Sequence, residues 1–250
     1  MRRIHLEKVD STNNHLRRLI DRGEDGDGLL LVDTDEQYAG RGQRGNSWES
    51  ETGKNLSFSV LCHPQRIVPS RQFAISEAMA LAVVETLAGL EGTTNPEKSR
   101  FSVKWPNDIY YDDKKICGTL IECDLQGKTI RNCIIGTGLN VNQTCFVSDA
   151  PNPVSLSQIF GREFNRETLL NQIVCLFEKH FMVADEGDTD LIHASYKRWL
   201  YRRAGLHAYE DAVGRFEAEI ADVEPSGFLV LRDADGHLRR YEFKEVKFLV

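Results

Sequence analysis

No two cysteines stand as a Cys-x-x-Cys pair. The six occupy positions 62, 117, 123, 133, 145 and 175, a spacing that denies a structural zinc site its ligand pairs. Several lie within apolar runs, such as Leu61-Cys62 and Asn132-Cys133-Ile134, and read as small buried hydrophobes in a reducing compartment. No apolar run approaches the ~18 residues a membrane span needs. The basic opening Met1-Arg2-Arg3 is followed by Glu7 and Asp10, not by the apolar stretch of a signal peptide. No membrane partner is therefore expected, and the expected location is cytoplasmic. Excess positive charge is also missing: the net charge of −7 argues against a protein that wraps nucleic acid by releasing counterions, so none is expected as a partner. A basic anion pocket remains compatible with that balance. Internal repeats, low-complexity tracts and a G-x-x-x-x-G-K-[ST] segment are absent too, which excludes P-loop chemistry.

What is present is an ordinary soluble composition, 41% hydrophobic and 28% charged over 250 residues. That is enough for one large domain, or a main domain with a small appendage. Ser11-Thr12-Asn13 precedes Leu16, Leu19 and Ile20 at helical spacing, with Gly23 as the stop. Leu29–Thr34 reads as a buried strand, and the glycine-rich, aperiodic stretch 35–54 as a long loop. Leu56, Phe58, Val60 and Cys62 alternate with Ser57, Ser59 and Leu61 as in a strand. A helix is expected over 70–90, carrying Phe73, Met79, Val83, Val84 and Leu87. A polar connection over 92–100 then leads into strand 101–105, which Pro106 stops. Strands follow over 115–124 and 129–141 around a turn at Gln126-Gly127-Lys128, then helices over 166–184 and 189–203. From Gly205 the pattern becomes short alternating strands with turns at Pro225-Ser226-Gly227 and 233–236. The expected fold is α+β with a largely antiparallel or mixed sheet: a main domain over 1–203 and a small all-β domain over 204–250.

Gly40-Arg41-Gly42-Gln43-Arg44-Gly45 matches G-x-G-x-x-G literally. A dinucleotide fingerprint, however, sits tightly between strand and helix, with an acid about 20 positions on. Here residues 35–39 intervene before the first glycine, no helix begins after it, and His63, Pro64 and Gln65 stand where the acid should be. The glycines instead allow backbone N–H groups to converge on an anion, and Arg41 and Arg44 add forked, permanently charged donors. Such a loop should fold over its ligand and keep water from a hydrolysable intermediate.

Three further segments carry chemistry. In Lys104-Trp105-Pro106-Asn107-Asp108, proline ends the strand and leaves Asn107 and Asp108 at its mouth. There Lys104 could meet a phosphate, and Asp108 could hold a metal or orient an amine; a plain turn with a capping Asp would read the same way. Lys115 enters the apolar run 116–121, so its chain could point inward, although a lysine at a strand start is ordinarily solvated. Gly136-Thr137-Gly138-Leu139-Asn140 places two glycines inside a strand, which favours close approach of a ligand to the backbone.

Together these segments resemble the biotin–protein ligases. That family's marks stand here, in order, as Ser11-Thr12-Asn13, Gln37, Gly40–Gly45, Lys104–Asp108, Lys115–Glu122 and Gly136–Asn140. The resemblance implies a class II aminoacyl-tRNA-synthetase-like catalytic domain with an SH3-like C-terminal barrel. It further implies an enzyme that makes biotinyl-5′-AMP from biotin and ATP, with Mg²⁺, and passes biotin to a lysine of a biotin carboxyl carrier domain. By the same resemblance Ser11, Thr12, Asn13, Gln37, Arg41, Gly42, Gln43 and Lys115 would bind biotin. Lys115 would bridge its carboxylate and the α-phosphate, while Arg41 and Arg44 hold phosphate oxygens. Lys104 would add charge and Asp108 would orient the incoming amine. Trp48 would pack on the adenylate as a lid, with Asn107 and Asn140 on the nucleotide. Polar groups like those near Ser11 suit a neutral ring rich in donors and acceptors, and Ser11 also suits a helix N-cap. Many relatives carry Arg where Gln43, and often Asn46, stand here, so this loop is expected to grip the adenylate less tightly. The chain begins ten residues before Ser11, so a winged-helix DNA-binding domain, and with it a repressor role, is not expected. A homodimer through an exposed sheet edge is compatible with the sequence. The alternatives are a lipoate– or octanoate–protein ligase of the same fold, and a non-catalytic biotin- or nucleotide-sensing module.

Overall fold

A computed structural model of the chain describes residues 1–42, 47–147 and 152–249. Twelve strands are described: β1 (Arg2–Val9), β2 (Leu30–Gln37), β3 (Leu56–Cys62), β4 (Phe101–Lys104), β5 (Asp108–Tyr111), β6 (Lys114–Gln126), β7 (Thr129–Leu139), β8 (His207–Glu210), β9 (Arg215–Val223), β10 (Leu229–Asp233), β11 (Leu238–Tyr241) and β12 (Lys247–Phe248). The helices are α1 (Thr12–Arg22), α2 (Phe73–Leu90), α3 (Leu156–Phe160), α4 (Arg166–Asp185) and α5 (Thr189–Arg198). The first seven strands form one sheet in the order β1-β2-β3-β7-β6-β5-β4. β1 runs parallel to β2 and the other neighbours are antiparallel, so the sheet is mixed, as expected. The last five strands form an antiparallel sheet in the order β11-β10-β9-β8-β12, consistent with a small SH3-like domain.

Sequence and structure agree on most elements, and the differences have local causes. β1 was not expected: it is an edge strand of mostly charged, exposed residues, with Ile4 and Leu6 packed against a small core and Val9 buried at its end. β2 continues to Gln37, so the loop begins later than residue 35. β5, only four residues long, follows Pro106 so closely that it reads as loop. α3 is a single turn and a half, held by a Ser155–Gln158 capping box. α5 ends at Arg198, short of residue 203.

α2, the one described helix long and apolar enough to cross a membrane, is a buried core helix instead. It packs with α4 and α5 against the side of the sheet lined by Leu31, Phe58, Val60, Cys133, Ile135 and Cys117. α1 covers the other face at one end. There Leu16 and Leu19 join Leu30, Val32, Leu61 and Ile134 in a second small core, each leucine contributing about 1.5–3 kcal/mol of burial. Gly23, left-handed at φ 68°, ends the helix and gives its N–H to Ile20 and Leu19 carbonyls. α1 therefore shields only part of its face and leaves the rest of the sheet for another occupant.

Candidate active site

That remaining surface is built almost without side chains. On β3, Ser57, Ser59 and Leu61 are in register with Gly138, Gly136 and Ile134 of β7, and these with Gly118, Leu120 and Glu122 of β6. Leu61 and Ile134 lie under α1; the serines and glycines form a trough beside it. A Cβ on Gly136 would stand 2.1 Å from Asn13 Oδ1, and one on Gly138 2.3 Å from the Trp48 ring. Trp48 also faces Gly118, 3.2 Å from the place a Cβ would take. Glycine is required at these points because a side chain already fills the space above the backbone.

One end of the trough is a polar cluster of amides and hydroxyls, bordered by the Arg41–Glu122 ion pair. Asn13 Oδ1 can only accept, so Ser59 donates to it at 2.6 Å, and Thr12 Oγ1 lies 2.6 Å from the same hydroxyl. Gln37 Oε1 accepts from the Thr12 N–H at 3.0 Å. Asn13 Nδ2 donates to Glu122 at 2.9 Å. The other Glu122 oxygen accepts from Arg41 at 3.2 Å, and Arg41 also donates to Asn14 at 2.9 Å. Ser11 is buried at the N-terminus of α1 in extended conformation but makes no side-chain cap bond. Its hydroxyl is thus not consumed by the helix end, which was the competing explanation for a serine there. Glu122 closes the Lys115–Glu122 segment but was given no role in the sequence, and Ser59 was not singled out. Ser59 was legible only as one of two serines alternating with apolar residues in a strand that is buried on both faces.

The other end is charged. Lys104 and Asp108 are directly paired across β4 and β5, and Tyr110 pairs with Lys115 of β6, so all four share a face. Lys115 reaches that face because β6 carries one extra residue. Ile109 pairs with Cys117 but Tyr110 pairs with Lys115, and the bulge breaks ordinary alternation. Lys115 Nζ meets Asp108 at 2.7 Å and lies 5.9 Å from the Trp48 ring centre. Lys104 Nζ donates to Tyr110 Oη at 3.0 Å. Burial pushes the Lys104 ammonium toward losing its proton, opposed by Asp108 and assisted by Lys115 and Arg202. Burial likewise pushes the Tyr110 phenol above its usual range, with Asp108 adding to it.

The remaining expected residues fall around these two ends. Arg41 bridges to Ser47, and the Trp48 N–H bonds Gly40 O at 3.1 Å, so both limbs of the loop return to the trough. Gly42 is half-buried beside Arg41. Gln43 and Arg44, with Gly45 and Asn46, lie outside the described residues. Asn107 is buried between β4 and β5, after the cis Trp105–Pro106 peptide. Asn140, buried after β7, donates to Val154 O at 3.1 Å, while its Oδ1 has no partner among the described residues. Val154 N in turn bonds Lys115 O at 3.0 Å, which ties Asn140 to the charged end through the backbone. Among the described residues, the Trp48 indole N–H and the Ser57 hydroxyl are also buried without partners. A trough with an end of amides and hydroxyls beside a paired Arg41 and Glu122, two ammonium groups at the other end, and buried polar atoms that lack partners among the described residues suits an uncharged ring joined to an anionic, phosphate-bearing group.

Comparison with known proteins bears on the same features. The model of the biotin/lipoate A/B protein ligase family matches residues 6–140. The bifunctional ligase/repressor BirA of Bacillus subtilis is 31% identical over 246 residues, covering 95% of this chain and 71% of that protein. Biotin–[acetyl-CoA-carboxylase] ligase of Paracoccus denitrificans is 28% identical over 244 residues, covering 92% of this chain and 94% of that one. The fold is shared with biotin protein ligase from Aquifex aeolicus in complex with biotin and ATP: TM-score 0.78, 22% identity, 99% of both chains. Biotin protein ligase from Leishmania major in complex with biotinyl-5-AMP superposes with TM-score 0.63 at 28% identity, over 96% of this chain and 98% of that one.

Proposed function

We propose, for a chain that belongs to the biotin/lipoate A/B protein ligase family, an ATP-dependent biotin–protein ligase whose chemistry is carried by the trough between Asn13 and Lys104. The enzyme forms biotinyl-5′-AMP and then transfers biotin to a protein lysine. In the first half-reaction a biotin carboxylate oxygen attacks the α-phosphorus of ATP and pyrophosphate leaves. In the second, a lysine amine attacks the acyl carbon of the mixed anhydride, loses a proton and displaces AMP. Both steps need positioning and stabilisation of negative charge more than covalent help from the protein.

Thr12, Asn13, Gln37 and Ser11 receive the ureido ring, with Ser59 holding Asn13 in place. Lys115 lies between carboxylate and α-phosphate, and Lys104 adds charge on the phosphate side. Asp108, already 2.7 Å from Lys115, is freed when phosphate takes that ammonium, and it then orients the acceptor amine and accepts its proton. Arg41, Arg44, Gly42 and Gln43 close the loop over the ligand. Trp48 lifts from the glycines and settles on the adenylate, and Asn107 and Asn140 face the nucleotide, Asn140 with an Oδ1 unpartnered among the described residues to accept from an amino group. The site offers Mg²⁺ a poor protein cage, since Asp108 is the carboxylate beside the two lysines and is ion-paired. Magnesium is therefore expected to arrive as part of the Mg–ATP substrate.

The catalytic unit spans 1–203 and the C-terminal β domain 204–250. The acceptor is the biotin carboxyl carrier domain of a carboxylase or decarboxylase, met in the cytoplasm. A second copy could pair along β1, the open edge of the sheet.

The observation that carries this reading is the single trough joining the Asn13–Ser59 cluster to the Lys115–Asp108 pair. Its test is ATP–pyrophosphate exchange dependent on added biotin. Exchange with biotin and not with lipoate is expected; exchange with lipoate alone would assign the chain to the other branch of its family, and exchange with neither would make it a binding module.

A further inference from the structure

The C-terminal sheet reaches into the charged end of the site at one point. Lys104 Nζ lies 4.9 Å from the centre of the Tyr110 ring and 5.3 Å from that of Phe248. Phe248 belongs to β12, the last described strand and an edge of the small sheet. Its ring is fixed from several sides. It pairs in register with Tyr209, whose ring stands edge-on at 5.0 Å, and Tyr201 is 6.4 Å away. The flanking Leu249 N–H bonds Ala208 O at 3.0 Å, and Leu249 O accepts from Arg202 at 2.7 Å. The Phe248 ring covers the ammonium and displaces much of its water, while Tyr110 meets it at the hydroxyl rim of its own ring. One of its three N–H groups goes to Tyr110 Oη at 3.0 Å, which leaves two for an incoming anion.

We propose that Phe248 is a positioning residue for the adenylation step, a roof from the C-terminal domain that holds Lys104 dehydrated and aimed at the phosphates of ATP. This rests on the reading of Lys104 as a phosphate-facing group. The roof strengthens attraction between Lys104 and a phosphate because water no longer screens it. It also makes Lys104 easier to deprotonate. The ionisable groups that act on it are Asp108 from β5, Lys115 from β6 and Arg202 from the segment after α5, with the Tyr110 hydroxyl at hydrogen-bond distance. Removing the roof should readmit water and raise the lysine's pKa.

The test uses the full chain with Phe248→Ala and Phe248→Leu, the second retaining an apolar cover if the first folds poorly. In biotin-dependent exchange, Phe248→Ala should raise KM for ATP by on the order of 3- to 30-fold, the range a cation–π contact supports, and leave KM for biotin unchanged. The alkaline limb of the pH profile should move to higher pH, less so in Phe248→Leu, and Phe248→Ala should add nothing in a Lys104→Met background. A fall in activity with an unmoved alkaline limb, or full additivity with Lys104→Met, would overturn the proposal. Titration of the ¹³C-labelled Lys104 side chain by NMR reads the same effect without catalysis. A higher pKa in Phe248→Ala supports the roof even if no biotin exchange is found, and an equal pKa sinks it even if exchange is normal.

Discussion

Gly136→Ala places a methyl group where Asn13 already is. The added carbon would stand 2.1 Å from Asn13 Oδ1 and 2.8 Å from its carbonyl carbon, and the amide cannot swing away freely. It accepts from Ser59 at 2.6 Å and donates to Glu122 at 2.9 Å, on a residue that is 4% exposed in the first turn of α1. To admit the methyl, Asn13 must give up both bonds: about 1 kcal/mol for the neutral one and about 2 kcal/mol for the one to a carboxylate. A loss of about 3 kcal/mol in a chain of this length corresponds to a Tm lower by roughly 6–12 °C. Biotin binding should weaken further, by about 5- to 30-fold, because the amide that meets the ureido ring is displaced by the equivalent of one hydrogen bond. The assay is thermal unfolding with and without biotin, together with calorimetric titration of biotin. Asn13→Ala in the same background removes the clash, so the double variant should be more stable than the sum of the two losses predicts. Unchanged Tm and biotin affinity in Gly136→Ala, or strict additivity in the double variant, would refute the packing argument for this glycine.

Lys115→Ala should abolish adenylate formation while leaving the unfolding midpoint within about 2 °C of the parent, since the Lys115–Asp108 pair is partly exposed; near-normal single-turnover adenylation would remove Lys115 from its role. Gln43→Arg adds a cation to the loop and should slow release of biotinyl-5′-AMP, measured by trapping the free adenylate; an unchanged release rate would show that this position does not control retention. Asp10→Asn tests an ion pair at the start of α1. Arg18 hydrogen-bonds the Asp10 carboxylate at 2.8 and 3.0 Å and holds its pKa well below the aspartate range. That stabilisation is present above the ordinary aspartate pKa and is lost as pH falls through the lower folded value. The variant should therefore cost up to about 1 kcal/mol at pH 7, a deficit that shrinks steadily below about pH 5 in unfolding experiments.

The parts of this molecule legible in its sequence are those where local chemistry and tertiary structure agree. Ser11 and Gly23 bracket α1, and the turn at Gly127 joins β6 to β7. The trough's residues were visible as motifs, but their arrangement was not. Ser57 and Ser59 look like the outward face of an amphipathic strand, whereas all of β3 is buried and its polar face turns toward the trough. Lys115 would sit on the core face by simple alternation, and only the bulge at Ile116 returns it to Asp108. That shift depends on how β5 registers against β6, which short-range pattern does not carry. Phe248 is separated from Lys104 by most of the chain, and nothing near it in sequence points to a charged site. β1 was missed for a related reason: an edge strand dominated by charge has little apolar periodicity to display.

One trough activates biotin by joining it to AMP. Purified protein given biotin and ATP–Mg²⁺, without any acceptor, is expected to yield biotinyl-5′-AMP and pyrophosphate in equal amounts by mass spectrometry and phosphate analysis. Adding a biotin carboxyl carrier domain should then convert the adenylate to AMP and one biotinylated lysine. Release of ADP and orthophosphate, or no adenylate under saturating substrates, would contradict the account.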